Sequence, residues 1–136
     1  MRHTPRPTSL PQITEMIITT FATFTIRPGK TAGAMKLIRA VKRQAQAEQP
    51  GTLVYLVHRV LTKSGRPTRQ LYFYERYRSQ GALNKHLASR SWKAVVKQWP
   101  NFFEGRSSSS LKFFGAHRIA AFERRGAIPV RKARRA

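Results

Sequence analysis

The chain predicts an α+β domain, with a four-stranded antiparallel sheet carrying helices on one face in the order β-α-β-β-α-α-β. Three observations lead there. Residues 16–26 are an unbroken run of β-branched, aromatic and apolar residues, which suits a pleated strand. Residues 31–48 place Ala34, Ile38, Val41 and Ala45 on one helical stripe. Residues 71–89 change period midway: the first half alternates and is rich in tyrosine, and the second sets Leu83 and Leu87 four apart.

Each element follows from local chemistry. Residues 1–15 hold three prolines with Thr, Ser and Arg, and read as a disordered basic arm. Structure becomes recognisable at Met16, which makes that residue an alternative start to Met1. Strand one carries Ile18, Ala22, Phe24 and Ile26 on one face and Ile17 and Phe21 on the other, so both of its faces should be covered. Arg27-Pro-Gly-Lys30 is a turn. The helix over 31–48 shows Lys36, Arg39, Lys42 and Arg43 away from its apolar stripe and stops at Gln49-Pro-Gly51. Residues 52–61 form strand two, 62–68 a hairpin loop and 69–78 strand three. Ser79 can cap the following helix, which runs to about Ala88, by accepting from a free N–H of its first turn. A further helix begins near Ser91 with Trp92, Val95, Val96 and Trp99, and Pro100 ends or kinks it. Ser107–Ser110 is a loop. Residues 111–121, including His117, form strand four. Residues 122–136 form a basic tail. The order is that of a split βαβ, or ferredoxin-like, domain over residues 16–121. Its uncovered sheet face would be apolar, and a homodimer through that face would cover it.

Composition narrows the function. There is no cysteine, which excludes thiolate chemistry and disulfides and fits a reducing, cytoplasmic setting. No apolar run reaches the length a membrane helix needs. The net charge is +22; the terminal stretches 1–15 and 122–136 supply +1 and +5, leaving +16 on residues 16–121. Such a chain favours anionic partners, yet no nucleic-acid-binding module is recognisable. Pro28-Gly-Lys-Thr31 is not a phosphate loop, because Phe24 stands where that motif needs its first glycine. The four histidines are too scattered for a metal site, so no metal is expected.

Four stretches together are similar to the antibiotic biosynthesis monooxygenase family. They are Ala22–Lys30, Glu48-Gln-Pro-Gly51 leading to Tyr55 and His58-Arg59, Leu71–Tyr77, and Ala82–Ser89. The resemblance runs from about Ile17 to Ala121. It implies a dimeric α+β barrel and cofactor-independent oxygenation of a phenolic, quinol-like or polyketide-type aromatic substrate by O₂. The haem-degrading branch is a poorer match. Its Asn, Trp and His correspond here to Thr23 or a neighbour, Tyr77, and Val95 or Val96.

The candidate site gathers at the junction of strand three and the next helix. His86 is the expected base or orienter, because an imidazole titrates near neutrality and can take a phenolic proton. Glu75, one of three acids in residues 16–121, would act with it or make a structural ion pair. His58, Tyr77, Asn84, Trp92 and Phe24 would position substrate, with Trp92 able to stack on a flat ring. The expected site is a substrate-sized cavity between sheet and helices. The alternative is a non-enzymatic dimer whose basic surface holds an anionic ligand or nucleic acid.

Overall fold

A computed structural model describes residues 17–107 and 119–125. The expected arm over 1–15, most of the expected fourth strand (111–118, with His117) and the tail from 126 onward lie outside the described residues. The elements are β1 (Ile18–Thr25), α1 (Thr31–Glu48), β2 (Thr52–Leu61), β3 (Pro67–Tyr77), α2 (Gln80–Leu87), α3 (Arg90–Lys97) and α4 (Trp99–Phe102). This is the α+β, ferredoxin-like arrangement. Among the described residues, however, the sheet has three strands in the order β1-β3-β2, not four. Residues 119–121, the end of the expected fourth strand, carry no strand.

Both strand pairs are antiparallel, and β3 lies between its two neighbours. Thr20, Ala22 and Phe24 oppose Glu75, Phe73 and Leu71. On the other side Tyr55 and Val57 oppose the same Glu75 and Phe73. These residues form the face under the helices. The alternate set, Phe21, Leu56, His58, Tyr72 and Tyr74, forms the opposite face, which is uncovered among the described residues.

α1 buries the four residues its spacing predicts, Ala34, Ile38, Val41 and Ala45. Phe24 is the centre of the core, with its ring 4.3 Å from Phe73, 4.7 Å from Trp99 and 5.3 Å from Phe103. β3 starts two residues earlier than expected. Gly65 turns the chain at φ +85°, and Thr68 Oγ1 donates to the Val60 carbonyl, which locks the hairpin at its mouth. Pro67 is tolerated because it is the first residue of the strand. Pro100 does end α3's direction, but it also opens the short helix α4, where the missing N–H of a first-turn proline costs nothing. Arg27 ties that helix back to the β1–α1 turn, its Nε donating to the Pro100 carbonyl.

Candidate functional site

Three segments converge under α2. β3 supplies Glu75 and Tyr77, the α1–β2 turn supplies Gln49, and α2 supplies His86. Ser79 caps α2 as expected, its hydroxyl accepting from the Ala82 N–H at 3.1 Å. The cap fixes the helix start, and with it the rotation that turns Leu83 and His86 inward.

His86 is 2% exposed and Glu75 4%. His86 Nδ1 lies 2.8 Å from the Gln49 amide oxygen, which also receives the Thr52 hydroxyl at 3.4 Å. An amide oxygen only accepts, so Nδ1 carries the hydrogen and Nε2 keeps its lone pair. That lone pair faces Glu75 Oε1 at 3.5 Å. The same Oε1 accepts the Tyr77 hydroxyl at 2.6 Å. Thr20 lies directly across from Glu75. Its buried hydroxyl has no properly formed hydrogen bond, yet it is near enough to the carboxyl to favour ionisation.

Burial controls the charges here. It pushes the Glu75 carboxyl up to about 7, against the opposing pull of the Tyr77 and Thr20 hydroxyls. It lowers His86 to about 4, so the imidazole is neutral at physiological pH. Burial and then the nearby Glu75 charge raise both Tyr55 and Tyr77, which stay protonated. At neutral pH the Glu75–His86 contact is therefore not an ion pair. It joins a half-ionised carboxyl to a neutral ring that lies among aromatics: Tyr77 at 5.4 Å, Tyr55 at 5.9 Å and Trp92 stacked at 6.2 Å.

Glu75, His86, Trp92 and Phe24 line one small cavity together with Tyr55, Phe73 and Leu87. Its volume is about 10 Å³, which is room for about one water molecule. The expected substrate-sized hollow is therefore filled, largely by the aromatic rings that were to form its walls.

Two expected site residues fall elsewhere. His58 is exposed on the uncovered face beside Tyr72, because Tyr55 and Val57 of the same strand take the inner face and the side-chain period is two. Asn84 is on the outer side of α2, accepting from Gln80 Nε2 at 2.9 Å. Two residues along a helix is about 200° of rotation, so Asn84 and His86 cannot both point inward. Tyr77 is buried within the site, bonded to Glu75 and beside the His86 ring, but it does not line the small cavity. Gln49 and Tyr55 join the site without having been assigned a role from sequence. Gln49 read as part of a helix stop, and strand two is apolar on both faces, so its parity gives no sign of which side is inner. Among the described residues no three His, Asp or Glu side chains come together as a metal site, and no helix is long and apolar enough to cross a membrane.

Comparison with solved structures gives the same fold. A candidate antibiotic biosynthesis monooxygenase of Caulobacter crescentus superposes with TM-score 0.63 at 24% identity, over 78% of this chain and 94% of the other. A protein of Pseudomonas aeruginosa matches with TM-score 0.63 at 21% identity, covering 79% and 98% of the two chains. A protein of Mycobacterium tuberculosis matches with TM-score 0.62 at 19% identity, covering 79% and 100%. At these identities the likeness establishes architecture rather than activity. No curated protein sequence matches the chain. The family model for antibiotic biosynthesis monooxygenases matches residues 17–98, a stretch that holds every residue of the buried site. The chain belongs to the antibiotic biosynthesis monooxygenase family.

Proposed function

We propose that the protein is a cofactor-independent monooxygenase for a small phenolic or quinol-like substrate, with Glu75 as the proton acceptor. The observation that carries this is a buried carboxyl titrating at about 7 beside a neutral imidazole. A base whose pKa lies near the working pH combines a useful ionised fraction with real proton affinity. His86, with a conjugate acid at about 4, is the weaker base of the two. Its neutral ring, stacked on Trp92, instead helps position the substrate ring, while the substrate hydroxyl donates its one hydrogen to Glu75. Of the two roles the sequence leaves open for each residue, this gives Glu75 the proton acceptor's and His86 the orienter's. The phenolate so formed gives electrons to O₂. One oxygen atom enters the ring system and the other leaves as water, with both electrons of that reduction drawn from the substrate.

A cavity of about 10 Å³ does not admit an aromatic ring. Turnover therefore requires Leu87 and Trp92, on the short helices α2 and α3, to move aside. The same observation favours a second reading, a non-enzymatic binding protein in which Glu75 and His86 are a structural pair. Oxygen uptake separates the two. With a panel of quinols and hydroxylated polyaromatics, the enzyme consumes O₂, Glu75→Gln lowers kcat at least 100-fold as expected for loss of a general base, and His86→Gln raises KM more than it lowers kcat. Absence of uptake with every substrate, or uptake unchanged in Glu75→Gln, overturns the monooxygenase assignment.

A further inference from the structure

α1 and α3 pack side by side. α3 begins beside the C-terminal half of α1, where the Ser91 N–H donates to Gln44 Oε1 at 2.9 Å. It ends beside the first turns of α1, where a second cavity opens to the surface on the side of the helices away from the sheet. This furrow measures about 340 Å³ and is bounded by Gln98. Its floor is Leu37, Ala40 and Phe102, and its rim carries Lys36 and Arg43. The two cations are seven residues apart on one helix, about 10 Å along its axis. Gly33 holds the end of the furrow in shape, since a Cβ there would clash with Phe102 Cε1. The ring of Phe102 thus packs on bare helix backbone. Neither Lys36 nor Arg43 has an acidic partner among the described residues; the arginines that do are Arg69, with Glu104, and Arg90, with Glu48.

We propose that this furrow is a second binding site, separate from the buried Glu75 site, for a small organic anion with an apolar body, such as an aryl carboxylate. An apolar floor of this volume suits a ring or short acyl group, and the two cations on the rim suit its carboxylate. Charge complementarity selects the anion over a neutral apolar molecule. The apolar floor selects an amphipathic molecule over a phosphodiester backbone, which would gain nothing from Leu37 or Phe102. Nothing in this assignment depends on oxygenase activity.

Naphthoate titrated into the full-length chain, followed by backbone amide shifts, tests it. Saturable shifts confined to the neighbourhood of Gly33, Leu37, Ala40 and Phe102 are expected. Naphthalenemethanol, the neutral analogue, should bind at least tenfold more weakly. Lys36→Gln with Arg43→Gln changes only exposed side chains and should lower naphthoate affinity at least tenfold, as should filling the furrow with Ala40→Phe, each with the unfolding midpoint checked. The proposal is overturned if the alcohol binds as tightly as the acid or if the variants bind undiminished. It is equally overturned if the shifts cluster on the uncovered sheet face, or if only a DNA duplex binds, with steep salt dependence and no response to Ala40→Phe.

Discussion

Glu75 and His86 titrate in opposite senses, and stability records both. The folded carboxyl ionises at about 7 and the unfolded one near 4.5. Its stabilising effect is complete below pH 4.5 and is lost as pH rises through 7, at a cost of about 3 kcal/mol. The folded imidazole protonates at about 4 and the unfolded one near 6.5. Its contribution is complete above pH 6.5 and is lost as pH falls through 4, by a similar amount. Between pH 4.5 and 6.5 the two slopes cancel, so the native protein should have a flat profile in urea unfolding. His86→Gln should expose the carboxyl's slope, with stability falling from pH 4.5 to 7. Glu75→Gln should expose the imidazole's slope, with stability rising from pH 4 to 6.5. Flat profiles in both variants would show that neither group is held as described. The identities of this pair were legible in the sequence, because an acid among tyrosines and a histidine on a short helix are conspicuous in a chain with so few acids. The partition of their roles was not. It depends on how deeply each is buried and on Gln49, whose distance along the chain from His86 hides the contact that fixes the tautomer.

At the level of elements, helix α1 and the β2–β3 hairpin could be read almost to the residue, since a four-member apolar stripe and a Gly-Pro loop each admit one solution. Strand β2 could not. Leu53, Val54, Tyr55, Leu56 and Val57 are apolar in succession, and the choice that put Tyr55 inside and His58 outside is made by pairing with β3. The site's helix α2 is eight residues long and has no acidic residue in its first turn. A helix that short does not persist alone. It depends on the Ser79 cap and on the inward Leu83 and His86. Ser79→Ala should cost about 1 kcal/mol and should raise amide exchange in α2 before it affects β3. If the whole protein loosened together instead, α2 would have to be an integral part of the cooperative core.

At the scale of the whole molecule, one face of the sheet stands out. The uncovered sheet face exposes Leu56 at 39% and Tyr72 at 36%, with Phe21 packed against Tyr72 and Tyr74. A contiguous apolar surface of this kind is normally covered by a partner, and a second copy of the chain is the proposed one. Sedimentation should give a dimer for the native protein, and Leu56→Lys with Tyr72→Lys should give a folded monomer; a native monomer would end that proposal. The strand order β1-β3-β2 has a consequence for assembly. β2 and β3 are joined by a tight turn and can zip together early, while β1 must return across the whole length of α1 to complete the second ladder. Glu75, on the middle strand, loses its water only when α2 and α3 pack over that face of the sheet. Changes at this carboxyl should therefore appear in how fast the native state comes apart, and leave the rate at which it forms almost untouched.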